Sequence, residues 1–252
     1  MIPSYFSRYV ASFSGWTLLL IVGILDTQAS AQEPPTGSRY AVLIGIHNYN
    51  PDQLKPLPSA EAEIFKLHDL LLRGGYSAEN IALLTNSSGA ERSSLLPNRR
   101  NIVRQLEELA PKLEHADTLI VAFSGHGLVG GDGQWFLCPF DAELTDVGSL
   151  VPLSDVYRLL NQIRCSHKLL LLDAMDDQPF AIGLASDSVG PFTHVVPHLP
   201  APPTDTAVLV SSAPGQSSAR PMDAGGSPAR FFAAVIEGLQ GQAAGADGSV
   251  TL

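Results

Sequence analysis

The chain has few cysteines, few charged residues and fewer basic than acidic residues. Its 252 residues include only two cysteines, Cys138 and Cys165, which excludes a disulfide scaffold and leaves at most one bridge. Only 16% of the residues are charged and 45% are apolar, a balance that excludes a disordered chain and favours a well-buried core. Acidic residues outnumber basic ones by 25 to 15, and the net charge of −10 argues against nucleic acid as a partner.

The N-terminal segment has the composition of an export signal. Arg8 precedes an apolar stretch at 16–25, and Ala-Ser-Ala at 29–31 provides a small-residue cleavage site. About ten apolar residues are too few to cross a bilayer comfortably. We therefore predict a signal peptide over 1–31, a tether over 32–38 and one domain over 39–252, which makes the protein secreted or periplasmic without membrane contact after cleavage. The alternative is an uncleaved signal that anchors the chain in the membrane.

Alternating strand and helix patterns in the rest of the chain predict an α/β fold. Five continuous apolar runs predict strands, and four segments with apolar residues at helical spacing predict helices. The strands are predicted at 39–46, 80–85, 118–123, 168–172 and 206–211, and the helices at 59–73, 98–113, 154–163 and 229–239. Asn98 and Ser154 are the expected N-caps, 135–139 is a short hairpin arm, and 179–203 is a long surface loop. The short connections imply a mostly parallel, twisted sheet with helices on both faces.

Three polar segments follow three of these strands. They occupy 45–49, 124–127 and 173–177, each directly after an apolar run. Sites on mostly parallel sheets lie at the carboxyl ends of the strands. We therefore predict that the three segments meet at one edge of the sheet.

These segments, in this order, resemble the caspase-like cysteine peptidases (peptidase C14, clan CD, the caspase and metacaspase group), especially secreted bacterial members. The resemblance covers about residues 39–252 and rests on six blocks, at 40–49, 124–127, 136–141, 170–174, 208–216 and 237–241. It implies a caspase-like three-layer sandwich. In such enzymes a cysteine after the fourth strand attacks the scissile carbonyl beside a histidine after the third, and backbone N–H groups hold the oxyanion.

Carried onto this chain, the resemblance assigns His126 to the catalytic histidine, Gly127 to the oxyanion glycine and Met175 to the nucleophile position. His126 precedes Met175 by 49 residues, close to the roughly 50-residue separation of histidine and cysteine in caspases. A thioether has no proton to lose, so Met175 cannot form a thiolate. Asp176 and Asp177 follow where relatives often have a basic residue and small residues, and they would raise the pKa of a restored thiol.

Neither cysteine is expected to replace the missing nucleophile. Cys138 falls on the hairpin arm, and Cys165 precedes the fourth strand at the opposite edge of the sheet. Both are predicted to be buried small hydrophobic residues. For His126 and Met175 the alternatives are a polar residue of a glycine-flanked turn and an ordinary core methionine.

The resemblance also implies a binding pocket. In metacaspase-type relatives two acids line the pocket for a Lys or Arg side chain, and Glu63 and Asp173 match them here, with Ser124 between. Two converging carboxylates suit a guanidinium group. The alternatives are a solvated helix residue for Glu63 and a strand-end cap for Asp173. We expect no cofactor, and no metal, because the single acid Asp247 in the C-terminal tail offers too few oxygens for calcium.

Three functions remain open from the sequence. The leading hypothesis is a caspase-fold pseudopeptidase that binds a peptide or protein segment, with basic side chains as the groups that its pocket suits. The second is an active cysteine-type endopeptidase that cleaves after Arg or Lys, which would need another nucleophile. The third is a purely structural domain that uses neither pocket.

Overall fold

A computed structural model describes residues 37–130, 133–175, 199–211 and 230–243. The predicted signal peptide, most of the tether and of the 179–203 loop, Asp176, Asp177, the side chain of Met175 and the tail around Asp247 lie outside the described residues. Within the described ranges, no helix is long and apolar enough to cross a membrane.

The described residues form seven strands and five α-helices. The strands are β1 (Arg39–Gly45), β2 (Ile81–Thr85), β3 (Thr118–Val129), β4 (Trp135–Leu137), β5 (Val151–Pro152), β6 (His167–Met175) and β7 (Thr206–Val210). The helices are α1 (Pro58–Arg73), α2 (Asn86–Glu91), α3 (Arg99–Leu109), α4 (Leu153–Gln162) and α5 (Arg230–Glu237).

Five strands form a parallel sheet in the order β2-β1-β3-β6-β7. The carboxyl end of β3 continues beyond β1 and pairs with β4, and β4 pairs with β5, both in antiparallel orientation. The sheet is therefore mixed, with a parallel centre and a small antiparallel extension at its carboxyl edge. This arrangement confirms the predicted α/β class and the mostly parallel sheet.

Helices cover both faces of this sheet. On one face α3 and α4 pack against residues such as Val42, Val121 and Leu170. On the other face α1 and α5 pack against the alternate residues of the same strands. That second core consists of Ala41, Leu43, Ile64, Leu67, Leu71, Ile120, Ala122, Leu171 and Phe232. Because both faces of β1 are buried, its sequence is a continuous apolar run and not an alternating one.

The helix boundaries follow local signals in the sequence. Helix α1 begins at Pro58, and the missing N–H of proline costs nothing there because the first N–H groups of a helix have no partner within it. The helix is followed by Gly74 and Gly75, and Gly75 has a φ of +88°, which glycine adopts readily. Asn98 caps α3 as predicted, because its side-chain oxygen accepts from the Asn101 amide at 2.8 Å. Helix α3 ends at Leu109, four residues before the predicted end.

The structure differs from the sequence prediction in three further details. Ser154 does not cap α4, because the helix already begins at Leu153 and the extended residue before it is Pro152, the end of β5. Helix α2 was not expected, and Thr85 caps it by accepting from the Ser88 amide at 3.0 Å. The third strand does not end at residue 123. It runs on to Val129, so the Ser-Gly-His-Gly block lies inside β3 and not in a turn after it.

Candidate functional site

The predicted site residues on β3 and β6 lie side by side at the carboxyl edge of the sheet. The strand register pairs Ser124 with Asp173, Gly125 with Ala174 and His126 with Met175. Side chains along a strand alternate between the two faces. Ser124 and Asp173 therefore share the face of Ile120, Ala122 and Leu171, which α1 and α5 cover. Both polar residues are buried, with 2% and 4% of their surface exposed.

Glu63 reaches the same side of the sheet from helix α1. This helix packs against β1 and β3 through Ile64, Leu67 and Leu71, and Glu63 is buried together with them, at 4% exposure. Glu63 is therefore not a solvated helix residue. The structure brings the three predicted pocket residues, Glu63, Ser124 and Asp173, to one face of the sheet.

Hydrogen bonds from the loop between β1 and α1 hold His126. Its Nε2 atom lies 2.8 Å from the Lys55 carbonyl oxygen, and its backbone N–H donates to the Tyr49 hydroxyl at 2.9 Å. A carbonyl oxygen can only accept, so Nε2 carries the proton, and in the neutral ring Nδ1 is left as the acceptor. The Tyr49 ring also meets the imidazole edge to face, with centroids 5.0 Å apart. Sequence reasoning assigned no role to Tyr49 or Lys55.

The loop that holds His126 is itself fixed from two sides. The Asn86 side-chain oxygen accepts from the amides of His47 and Asn48, at 3.0 and 3.3 Å, and its amide group donates to the Asn48 carbonyl at 3.1 Å. From α1, the Glu61 carboxylate contacts the His47 ring and accepts from the Ser87 amide at 2.8 Å. The loop between β1 and α1 is therefore tied to both α1 and the start of α2.

These contacts shift the ionisation of Glu61. Burial alone would raise the pKa of its carboxyl group, but hydrogen bonds from the Ser87 amide and from the Thr85 and Ser87 side chains, together with His47, hold that pKa below its ordinary value. The carboxylate is therefore stabilised in the folded state, although it is only 7% exposed.

Glycines allow the strands and the loop to approach one another at this edge. A Cβ atom on Gly125 would lie 2.7 Å from the Tyr49 hydroxyl oxygen, and one on Gly127 would lie 2.7 Å from the Ala174 Cβ. Neither distance is compatible with a side chain unless the backbone shifts. Gly127 therefore has a packing role against Ala174, and the oxyanion role that the resemblance implies stays a prediction.

The two cysteine thiols lie away from solvent. Both are free, and both are fully buried, as predicted. The Cys138 amide donates to the His126 carbonyl at 3.0 Å, so this residue is a neighbour of the histidine. However, burial raises the pKa of the Cys138 thiol to about 12, and Cys138 belongs to the core on the α3 and α4 side. Burial likewise raises the pKa of Cys165, which precedes β6 at the amino edge of the sheet.

The described residues contain no cluster of three or more side chains that could ligate a metal. The candidate site is therefore made of two buried carboxylates, one hydroxyl and one oriented imidazole. Such a set can bind a cation or accept a proton, but among the described residues it includes no accessible thiol.

Comparisons with known proteins agree with this architecture. The family model of the caspase domain (peptidase C14) matches residues 38–247. The chain belongs to the caspase domain family. Two solved structures share the fold. Pro-sf-caspase-1 superposes with a TM-score of 0.55 at 17% identity over 82% of this chain and 72% of that chain. Caspase-1 from Spodoptera frugiperda superposes with a TM-score of 0.52 at 19% identity over 81% of this chain and 69% of that chain. The caspase-like fold predicted from the sequence is thereby confirmed.

Metacaspases are similar to part of this caspase domain. Metacaspase-4 of Arabidopsis thaliana is 36% identical over 91 residues, which cover 36% of this chain and 21% of the relative. Metacaspase-1 of Candida albicans is 33% identical over 92 residues, which cover 36% and 20%. The matched segments thus span about a fifth of the length of these relatives.

We predict that Glu61 makes the stability of the domain depend on pH. A group whose pKa is lowered by folding contributes stability above its unfolded pKa and loses that contribution as the pH falls through the folded value. Glu61→Gln should therefore destabilise the protein by roughly 1–2 kcal/mol at pH 7, as expected for hydrogen bonds to a charged group, and the difference from the unaltered protein should shrink as the pH falls below about 4.5. Urea unfolding at pH 7, 5 and 3 measures this difference.

The matched control is Glu107→Gln, because Glu107 is exposed on α3. Its effect should be small at all three pH values. A destabilisation by Glu61→Gln that stays constant from pH 7 to pH 3 would contradict the role given to the Glu61 carboxylate.

Proposed function

We propose that this caspase domain is a pseudopeptidase, a peptide-binding or regulatory module that has kept the histidine of the catalytic pair and lost the nucleophile. The observation that carries the proposal is the register pair of His126 with Met175. The residue beside the histidine on the neighbouring strand has a thioether, which cannot ionise to a nucleophile.

The remaining thiols support the same proposal. The chain has only two cysteines, and both side chains are buried with raised pKa values. A reactive cysteine needs access to substrate and a thiolate that forms near neutral pH. An active cysteine-type endopeptidase would have to use one of these two residues, and each lacks both properties.

The polar residues at the carboxyl edge argue against a purely structural domain. Ser124, His126 and Asp173 are at most 4% exposed, and Glu63 is buried above the same face. Burying carboxylates costs free energy even where they are well paired. A domain that served only as a scaffold would be at least as stable with apolar side chains at these positions. This protein has such apolar side chains nearby on the same face, at 120, 122 and 171.

We further propose that the ligand is a peptide or protein segment with a basic side chain. Glu63 and Asp173 supply two carboxylates on one side of the sheet. Ser124 lies on β3, the strand between β1 and β6, and adds a hydroxyl on the same side. A guanidinium group offers five donors in a planar fork and suits a pair of carboxylates better than any neutral group does. The net charge of −10 also favours a basic partner.

We predict that the purified protein does not cleave peptides after Arg or Lys, because Met175 provides no nucleophile. Met175→Cys should restore reactivity with iodoacetamide but little cleavage, since Asp176 and Asp177 disfavour the thiolate. Cleavage should be faster in the triple variant that also carries Asp176→Arg and Asp177→Ser. The measurement is the rate of release of a fluorogenic group from an Arg-terminated reporter.

The control for this experiment is His126→Ala. Cleavage by the unaltered protein that disappears in His126→Ala would reject the pseudopeptidase proposal, whereas activity that survives it comes from a contaminant. Equal rates for the single and triple variants would show that the two aspartates do not oppose the thiolate.

We predict that the protein binds a short peptide with a free Arg side chain, and that Asp173→Asn together with Glu63→Gln weakens this binding at least tenfold, which corresponds to about 1.4 kcal/mol. The same peptide with citrulline in place of Arg has nearly the same shape without the charge. It should bind to the unaltered protein as weakly as the Arg peptide binds to the double variant. Isothermal titration calorimetry measures both, with Glu107→Gln as the variant control. Equal affinity for the two peptides would reject the basic-side-chain proposal, and the absence of binding by either peptide would favour the purely structural alternative.

We also propose that the protein is exported, on the basis of the basic, apolar and small-residue segments before residue 32. The expected mature N-terminus is Gln32, and the protein should be found outside the cytoplasm, secreted or periplasmic. Mass spectrometry of native material tests this: a chain that still begins at Met1 in the membrane fraction would instead indicate the uncleaved anchor.

A further inference from the structure

The strands at the carboxyl edge have unequal lengths. The last residue pair between β1 and β3 is Gly45 with Ser124, after which the Ile46 amide donates to the Ser124 carbonyl at 3.0 Å. The first pair between β4 and β3 is Leu137 with Gly127. His126 therefore lies between the end of one ladder and the start of the next, where neither strand offers a regular partner for its amide.

A side chain takes the place of the missing strand. The Tyr49 hydroxyl accepts from the His126 N–H at 2.9 Å, and this bond is buried. On the carbonyl side, the Cys138 amide donates to the His126 oxygen at 3.0 Å. A buried amide without an acceptor is costly and rare, so the Tyr49 hydroxyl is what allows β3 to continue as a strand through His126.

The same tyrosine contacts the imidazole itself. Its ring meets the His126 ring at a centroid distance of 5.0 Å and an angle of 62°, an edge-to-face contact of the kind that aromatic rings prefer. Gly125 leaves the space for it, because a Cβ atom there would lie 2.7 Å from the Tyr49 hydroxyl oxygen. Burial raises the pKa of Tyr49 well above its ordinary value, so the hydroxyl keeps its proton at all physiological pH values.

We propose that Tyr49 is the positioning residue of His126: its hydroxyl fixes the backbone of the histidine where β1 ends, and its ring fixes the imidazole against the Lys55 carbonyl. The proposal rests on the proposed function only in taking His126 as part of the ligand site. The geometry itself concerns the protein without ligand, so it can be tested without any peptide.

The test compares Tyr49→Phe with Tyr157→Phe. Tyr157 is the matched control because its hydroxyl is also buried but has no hydrogen-bond partner among the described residues. Amide hydrogen exchange followed by NMR should show His126 exchanging at least tenfold faster in Tyr49→Phe, relative to the Val121 amide in the middle of β3. The ratio should not change in Tyr157→Phe. Equal ratios in the two variants would overturn the proposal.

A second readout concerns the imidazole. In the unaltered protein the ring nitrogen shifts should report a proton on Nε2, the atom that lies 2.8 Å from the Lys55 carbonyl oxygen. Tyr49→Phe keeps the ring contact and should keep this tautomer, whereas Tyr49→Leu should give the averaged shifts of a ring that exchanges between both tautomers. A purely structural tyrosine would leave the His126 tautomer unchanged in Tyr49→Leu, which would also overturn the proposal.

If the Tyr49 variants do not fold, the unaltered protein still decides. A slowly exchanging His126 amide with a nuclear Overhauser contact to the Tyr49 ring protons supports the proposal, and the absence of either rejects it. Failure of the Arg peptide to bind a protein that shows both signals would instead reject the proposed function alone.

Discussion

The organisation of the candidate site follows from one constraint: β3 and β6 continue past the point where β1 ends. In a parallel sheet each interior strand needs hydrogen-bond partners on both sides, and after Gly45 the partner on one side of β3 is gone. The loop that follows β1 supplies the acceptors instead. Its Tyr49 hydroxyl accepts from the backbone N–H of His126, and its Lys55 carbonyl accepts from the Nε2–H of the ring. Asn86 and Glu61 then hold that loop in place. The position of the histidine therefore depends on residues from the loop after β1, from α1 and from the start of α2.

The same edge is where one face of the sheet changes from apolar to polar. Along β3 the residues that face α1 and α5 are Ile120 and Ala122, and then Ser124; along β6, Asp173 follows Leu171. The helices remain close enough to keep these polar groups buried. Burial weakens the competition of water and strengthens electrostatic interactions. A cation that entered this region would therefore interact more strongly with the carboxylates of Glu63 and Asp173 than it would with carboxylates at the protein surface.

Much of this architecture could be predicted from the sequence. Apolar runs and helical spacing located all five parallel strands and four of the five helices. Glu63, Ser124 and Asp173 are buried, and their role as a binding pocket stays a prediction. The end of β3 could not be predicted, because the polar and glycine residues from 124 to 127 are typical of a turn, and only pairing with β4 and β6 keeps them in a strand. Helix α2 was missed because its six residues, Asn86–Glu91, carry no apolar pattern. The role of Tyr49 depends on a contact across 77 residues, and no local pattern indicates such a contact.

The contacts that orient the His126 ring come from residues far from position 175 in sequence. Apart from the pairing of β3 with β6, the hydrogen bonds and ring contact that hold His126 among the described residues come from Tyr49 and Lys55 in the β1–α1 loop and from the Cys138 amide. None of these residues is adjacent to Met175 in sequence. These contacts do not involve the side chain at 175, and the hydrogen bond between the His126 Nε2 atom and the Lys55 carbonyl oxygen needs no partner on β6. The buried acids, too, are placed by α1 and by the ladder between β3 and β6, which forms through backbone atoms whatever the side chain at 175. The side chain at 175 can therefore change while Ser124, His126 and Asp173 keep their places in the ladder between β3 and β6.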